Sequence, residues 1–487
     1  MKITDLKNDR KQRPLSMIQF GEGNFLRAFV DYMVDISNEK GLTDIGVAII
    51  KPIPMGSLES FIAQQGLYNV LLRGKINGEV AEDIRLVTCV QQYMDCYADY
   101  ENYITLAGEE GLRFIVSNTT DAGIVYDETD NYHATPPNTF PGKLTQFLFE
   151  RFKTFDGDAG KGVFIIPVEL IEENGKKLKE CVLKFCDLWQ LPQAFVEWLN
   201  QHCCFCTTLV DRIVSGFPKE DAPEIWKKLG YEDKLLVSGE PFALFVIEPE
   251  KSEMSLEKEL PLHKAGLPVV FTADHRPYRE RKVRILNGAH TSMIMAAYLS
   301  GLDIVSECMK DAVIRKYMEY LLHDEVIPTI DLPEKEIQDF AASVVERFEN
   351  PFIRHELMSI ALNSTSKWKS RILPTLLDNY KKNAVLPKLL TFSFAAMLTF
   401  YRNGRIENGA MVTSNFGREY KIQDDMSALE AFVENSSKST EEYVRVMSSK
   451  SEIWGMDLTT LDGFTQLVAR YMEDMTTMGV KGAISAI

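Results

Sequence analysis

Ile18-Gln19-Phe20-Gly21-Glu22-Gly23-Asn24-Phe25-Leu26-Arg27-Ala28-Phe29 is the stretch whose reading decides the fold. The residues leading into it, 14–20, read as a short buried strand. Beyond the glycines, Phe25, Leu26, Phe29, Val30, Met33 and Val34 recur at helical spacing as far as Glu39, and Gly41 supplies a stop. Ile45-Gly-Val-Ala-Ile-Ile-Lys51 is a second strand. Strand, glycine turn, helix and strand make a βαβ unit, the start of a nucleotide-binding sheet. Gly21 and Gly23 permit a tight turn and the close approach of a pyrophosphate, and a helix N-terminus offers N–H groups and a positive dipole. Arg27 would add charge toward the phosphates. The match to G-x-G-x-x-G is incomplete, because Leu26 holds the third glycine position and the small residue comes at Ala28. Taken alone, these residues leave two readings open: a dinucleotide site over residues 18–29, or a structural turn.

Lys51-Pro52 stands where the acid that binds a ribose is expected. A lysine there tolerates a 2′-phosphate, so NADP(H) stays beside the favoured NAD(H). The plain alternative is a solvated strand end. Further strands are expected at 112–117, 162–168, 207–213 and 267–272, with helices at 143–153 and 176–188 between them, and an extra hairpin near Tyr68–Arg73. Asn118 and Thr119 fall at a strand tip, either as a cofactor-edge contact or as a turn held by its own side chains. After residue 275 helical periodicities dominate, at 278–300, 303–323, 335–348, 351–362, 384–402, 426–437 and 459–474. The fold class is therefore α/β. A Rossmann-type dinucleotide-binding domain spans 1–275, and a mostly α-helical substrate and catalytic domain spans 276–487.

The 487 residues carry a net charge of −16, which argues against nucleic acid or anionic membrane as partner and requires any anionic substrate to find a local cationic pocket. No apolar run is long enough to span a bilayer, and the first ten residues have no apolar core, so the expected location is the cytoplasm. Nothing in the sequence specifies an oligomeric state. Eight cysteines form no disulfide framework. His202-Cys-Cys-Phe-Cys206 fits metal-ligand spacings poorly, so these read as buried free thiols and no metal is expected.

Tyr278-Arg-Glu-Arg-Lys-Val-Arg-Ile-Leu-Asn-Gly-Ala-His290 is the candidate for chemistry. Lys282 can carry a proton, Asn287 can donate an N–H to an oxyanion, and His290 can hydrogen-bond a hydroxyl. At about 100° per residue, Asn287 lies roughly 140° around a helix from Lys282 and His290 roughly 80°. A lysine serves as acid or base where burial and neighbouring cations tune it, a task open to Arg279, Arg281 and Arg284. The competing reading is a solvated basic helix face with a structural histidine.

Several segments resemble the polyol-specific long-chain dehydrogenases, the mannitol dehydrogenase family. They are the K-x4-N-x2-H signature at Lys282, Asn287 and His290, the Gly21-x-Gly23 turn with Arg27-Ala28, Val210-Asp-Arg-Ile213, Ser117-Asn-Thr-Thr-Asp-Ala-Gly123 and Phe140-Pro-Gly-Lys143. The resemblance implies a Rossmann-type domain and a helical domain with the active site between them. It also implies a metal-independent reaction with Lys282 as acid/base, Asn287 as oxyanion donor and His290 on a substrate hydroxyl. Leu26, where mannitol and fructuronate members tend to carry His, favours the subgroup acting on tagaturonate. The implied reaction is thus reversible hydride transfer between NADH and the keto group of a small sugar acid, D-tagaturonate to D-altronate. The alternatives are fructuronate, a mannitol-type polyol, or a non-catalytic dinucleotide-binding regulator. One departure stands out. Pro167-Val-Glu-Leu170 replaces the run that precedes a second oxyanion asparagine, leaving Glu169 as a proton relay, a hydroxyl contact or a strand cap. Asp211 is either a substrate contact or the partner of Arg212. In Ser366-Lys-Trp-Lys-Ser-Arg371, Lys367, Lys369 or Arg371 would grip the uronate carboxylate, with Lys367 and Arg371 preferred, and His355 is a weaker candidate.

Overall fold

A computed structural model describes every residue except Asp121, together with all side chains but those of Lys7, Asn8 and Asp9. The chain divides into two compact units, Met1–His275 and Arg276–Ile487.

The first unit is built on an eight-stranded sheet: β1 Leu15–Phe20, β2 Gly46–Lys51, β3 Val90–Asp95, β4 Phe114–Ser117, β5 Phe164–Pro167, β6 Cys204–Asp211, β7 Leu244–Pro249 and β8 Val269–Phe271. Their order is β3-β2-β1-β4-β5-β6-β7-β8. The first six are parallel, β7 runs antiparallel to β6, and β8 is parallel to β7. Order 3-2-1-4-5-6 is the doubly wound arrangement whose strand reversal at β1/β4 opens a crevice at the carboxyl ends.

Both faces of the sheet are covered, so its strands are apolar throughout rather than alternating. Met17, Val47, Ile49, Val116 and Ile166 pack into one core with Phe29, Met33 and Phe245. Ile18, Phe20, Ala48, Ile50, Ile115 and Ile165 pack into the other with Leu144, Phe147 and Leu178. A second, four-stranded sheet contains the hairpin Tyr68–Ile76/Glu79–Val87 and the short strands Val237–Gly239 and Val214–Gly216. All eight cysteines are buried and free, and Cys204 and Cys206 lie within β6, which begins three residues before the strand expected from 207.

The helix after β1 begins at Asn24 and passes through a π-helical turn, Arg27–Asp31, before continuing as Tyr32–Glu39. That turn buries Asp31 completely. Tyr68 Oη donates to its carboxylate at 2.8 Å, joining the helix to the second sheet.

The second unit is helical around two segments, Gly288–Leu299 and Lys388–Tyr401, buried on all sides but for the first two residues of the second, which pack on each other and on Phe464–Ser485. Two expectations fail here. Residues 351–362 hold only a short helix, Leu357–Ile360, because Asn350-Pro351 breaks the preceding one. Strand structure persists, as the antiparallel meander Arg405–Glu407, Ala410–Asn415 and Arg418–Ile422. No helix among the described residues is long and apolar enough to cross a membrane.

Burial pushes the Asp31 carboxyl up to about 7. Its unfolded value is about 3.9, so between these limits the native state binds more protons than the unfolded chain, and stability falls as pH rises from about 4 to about 7. Asp31→Asn is expected to flatten that slope and to raise the urea midpoint at about pH 8. Unfolding curves at three pH values check this, and an unchanged slope would count against it.

Candidate active site

At the sheet's carboxyl edge the Gly21 N–H donates to the Ile50 carbonyl at 2.9 Å, and the Asn118 N–H donates to the Phe20 carbonyl at 3.1 Å. Gly21 has φ +124°, and a Cβ there would sit 3.2 Å from the Asn118 carbonyl oxygen. Gly23 is different. Its φ is −66°, and nothing lies within 4 Å of where a Cβ would be. Open space therefore lies at the N-terminus of the helix, where an anionic pyrophosphate is best stabilised.

Of residues 18–29 only Glu22, Gly23, Asn24 and Phe25 reach the surface. Ile18, Phe20, Leu26, Ala28 and Phe29 point into the two cores, and Gln19 Nε2 is spent on the Gly21 carbonyl and Asp31. These six frame the turn and contribute no side chain to a ligand, since a strand buried on both faces has none to spare. Arg27 is also corrected. Its guanidinium is buried, donating to the carbonyls of Glu22 and Leu235 and to Asn24 Oδ1, and it lies 5.2 Å from the Tyr68 ring centroid. It braces the turn from behind rather than facing phosphates.

Lys51 is neither a solvated strand end nor a free cation. It is 1% exposed, and Nζ donates to the carbonyls of Ile53 at 2.6 Å and Met55 at 3.2 Å and pairs with Asp95 at 3.0 Å. Asp95, at the end of β3, places a carboxylate beside the position where β2 lacks one.

Asn118 Nδ2 donates to the Val168 carbonyl at 3.0 Å. Glu169 is buried and accepts from Ser117 Oγ, the Thr119 N–H and Thr119 Oγ1 at 3.1, 3.0 and 2.9 Å. It thereby fixes the tip of β4, although burial raises its carboxyl above the usual range. The structure thus favours the capping alternative for Glu169. Asp121 lies outside the described residues. Asp211 closes β6 and is buried, while Arg212 donates to the carbonyls of Ala28, Pro241 and Phe242.

In the second unit, Arg276–Arg281, Lys282–Asn287 and Gly288–Leu299 follow one another without a break, and the middle segment is a π turn. The Gly288 N–H reaches back five residues to the Val283 carbonyl. Closing a turn over five residues rather than four brings Lys282 and Asn287 toward one face. An unbroken α-helix would separate them by about 140°. Such π turns inside α-helices recur at functional sites. Both residues are partly exposed, whereas His290 is buried, stacked on Phe348 at 4.1 Å and edge-on to His355 at 5.1 Å. Two of the neighbouring arginines are engaged by other side chains. Arg281 lies 4.6 Å from the Phe340 ring centroid, and Arg284 pairs with Asp378 at 2.5 Å and Glu280 at 2.7 Å.

Helix Ser364–Arg371 separates its three basic residues by face. Lys367 and Arg371, four apart, flank His290, and Arg371 Nη1 reaches Thr291 Oγ1 at 3.4 Å. Lys369 is exposed and lies over Gly455. Burial, then His355, Arg347, Arg371 and Lys367, holds the His290 imidazole well below its usual range. Arg347 escaped the sequence reading because it precedes Lys367 by twenty residues and stands outside any signature.

A potential metal-ligand group, Glu248, Asp274 and His275, has atoms within 4.8 Å of one another. There, however, Glu248 Oε2 already accepts from the His275 N–H at 2.9 Å and meets Nδ1 at 2.7 Å.

The mannitol dehydrogenase Rossmann-domain model matches residues 15–260, and the mannitol dehydrogenase C-terminal-domain model matches residues 274–476. The chain belongs to the mannitol dehydrogenase family. Among its family relatives, an altronate oxidoreductase of Yersinia pestis bv. Antiqua (strain Nepal516) is 41% identical over 483 residues, covering 98% of this chain and 97% of the relative. An altronate oxidoreductase of Escherichia coli O7:K1 (strain IAI39 / ExPEC) is 42% identical over 480 residues, covering 97% of each. In fold, the chain is similar to Pseudomonas fluorescens mannitol 2-dehydrogenase, solved with NAD and D-mannitol, with a TM-score of 0.67 at 20% identity over 98% of this chain and 94% of that one. A substrate-free D-sorbitol dehydrogenase gives 0.76 at 21% identity over 97% and 95%.

The two family glycines are predicted to separate fold from binding. Gly23→Ala should change stability by less than about 0.5 kcal/mol yet weaken dinucleotide binding at least about tenfold, because its methyl occupies the pyrophosphate's approach. Gly21→Ala should lower the unfolding midpoint, because a positive φ strains any L side chain. Thermal melts and a fluorescence titration with NADH check both.

Proposed function

We propose that this protein is an NAD(H)-dependent oxidoreductase that interconverts D-tagaturonate and D-altronate. The observation that carries the reading is similarity to altronate oxidoreductases over 97–98% of this chain and 97% of theirs. The first unit fits the dinucleotide by its open helix N-terminus at Gly23, with Asn118 and Thr119 at the neighbouring strand tip. Its adenosine end favours NAD(H) over NADP(H): Lys51 is already engaged by two carbonyls and Asp95, so a 2′-phosphate would meet carboxylate rather than a free ammonium.

Bound NADH supplies the hydride that reduces the ketone carbon. The Asn287 side-chain N–H and the protonated Lys282 stabilise the oxygen as negative charge develops on it. Lys282 then passes its proton to the alkoxide, giving the alcohol, and takes one back in the reverse direction. His290 holds a substrate hydroxyl, and Lys367 and Arg371 hold the carboxylate. Asp211, at the carboxyl end of β6, is the remaining candidate for a hydroxyl contact. Proton and oxyanion roles are both filled by side chains, so the reading requires no metal.

NADH oxidation with D-tagaturonate, D-fructuronate and D-fructose, and NADPH with the same three, tests the assignment. Rapid turnover of tagaturonate with NADH is expected, and no turnover of either hexuronate sinks it. Lys282→Ala should keep NADH affinity and lose at least about a hundredfold in kcat, the ordinary scale of general acid–base catalysis. Near-normal turnover in that variant would remove Lys282 from the proton role. A chelator should leave the rate unchanged, and inhibition would direct attention to Glu248, Asp274 and His275.

A further inference from the structure

In a Rossmann sheet the adenosine ribose of a dinucleotide lies at the carboxyl end of β2. Three charged side chains meet at that corner here, and two of them are committed. The Lys51 ammonium has three donors, and the carbonyls of Ile53 and Met55 and Asp95 Oδ2 take one each. Lys51 thereby ties down the bend at 53–56 and has no donor left for a ligand. The other Asp95 oxygen accepts the N–H groups of Tyr97 and Ala98 at 2.9 and 3.2 Å. Asp95 is thus spent on Lys51 and on the backbone that follows β3.

Glu22 is the third. It stands between the two family glycines, and the Gly21 N–H before it is bonded to the Ile50 carbonyl of β2. Its carboxylate lies on the β2 side of the turn: a Cβ on Gly56 would sit 3.6 Å from Glu22 Oε1 and 4.0 Å from Lys51 Cδ. The groups acting on that carboxylate, besides its own N–H, are Lys51, Asp95 and Arg27. Both cations are engaged elsewhere, Lys51 as above and Arg27 with the carbonyls of Glu22 and Leu235 and with Asn24 Oδ1. Glu22 is partly exposed, and a carboxylate offers about four lone-pair sites. It therefore keeps acceptor capacity at the corner where the end of β2 supplies no acid.

We propose that Glu22 accepts the hydrogen bond of the adenosine 2′-hydroxyl, so that the acid selecting NAD(H) comes from within the glycine turn instead of from the end of β2. This rests on the dinucleotide reading above and deepens it by naming the discriminating residue. A carboxylate between the two glycines repels a pyrophosphate if it points forward. Turned toward the ribose, it meets a hydroxyl that can donate, and an ionised acceptor strengthens that bond. A 2′-phosphate in the same place would bring further negative charge against Glu22 and Asp95, with no donor of Lys51 free to meet it. Lys51 and Asp95 are positioning residues, because they set the bend that borders Glu22.

The test is a fluorescence titration of the wild type, Glu22→Ala and Glu22→Gln with NADH, with NADPH and with NADH lacking the adenosine 2′-hydroxyl. The wild type should bind NADH at least about tenfold more tightly than the 2′-deoxy form and at least about a hundredfold more tightly than NADPH. Glu22→Ala should lose about tenfold for NADH and less than about twofold for the 2′-deoxy form. Glu22→Gln keeps an acceptor and removes the charge, so it should narrow the gap between NADH and NADPH about tenfold, mainly through tighter NADPH binding. Melting midpoints of the ligand-free variants should stay near that of the wild type. An equal loss for all three dinucleotides in Glu22→Ala, with or without a lower midpoint, overturns the proposal, because it marks a change in the turn and not a lost hydroxyl contact. So does unchanged NADH affinity in that variant, or a wild type that binds NADPH as tightly as NADH. Each of these leaves the dinucleotide reading standing. Absence of binding of any of the three by the wild type removes both.

Discussion

The two backbone hydrogen bonds at the sheet's carboxyl edge, Gly21 N–H to Ile50 and Asn118 N–H to Phe20, set the constraint on which the first unit depends. They carry the pairing of β1 with β2 and β4 one residue beyond the strands. The chain must therefore turn at Gly21 in a conformation that L side chains resist, and the helix must begin within three residues. Everything around that turn supports it from behind. Arg27 fills its carbonyls, Gln19 and Tyr68 converge on Asp31, and Glu169 holds the adjacent tip. The front is left open at Gly23, at a helix terminus whose first N–H groups have no partner within the helix.

In the first unit, burial of a cation goes with saturation by carbonyls. Arg151 donates to Lys161, Ala107, Glu109 and Leu112, and Arg212 to Ala28, Pro241 and Phe242. Such groups are braces: each satisfies loop carbonyls that would otherwise be enclosed without a donor. Around His290, Lys367 Nζ likewise donates to a carbonyl, that of Ile360, and Arg371 Nη1 reaches Thr291 Oγ1, while His290 Nε2 is enclosed without a hydrogen-bond partner.

The βαβ start was legible because a glycine pair between an apolar strand and an apolar helix has few other solutions. Leu244–Pro249 was not, since a short apolar run cannot be assigned by periodicity alone. The meander carried a usable signal in Asn408-Gly409, both with positive φ, but its strands are too short and polar to draw attention. At the site, residue types were legible and local geometry was not. Lys282 and Asn287 lie about 140° apart on an ideal helix, and the π turn closed by the Gly288 N–H on the Val283 carbonyl narrows that separation. Arg27 and Lys51 were misread for a simpler reason. Sequence places a charge near a site but does not say whether backbone carbonyls have claimed it first.

This separation of roles bears on how one scaffold serves both polyols and sugar acids. Lys282 and Asn287 sit on a π turn closed by backbone bonds, so their alignment depends on the helix and not on what surrounds the far end of the substrate. The groups around His290 come from other segments: the end of one helix, a loop and a face of another. Changing their charge would leave in place the turn that, in the proposed reaction, carries the proton chemistry. In the proposed reaction, selectivity built this way is electrostatic before it is stereochemical. It works best in a partly enclosed site, where the interaction between a carboxylate and a guanidinium is least screened by water. An acidic protein gains further, because the field of its remaining surface repels anions everywhere except where such a cluster reverses it.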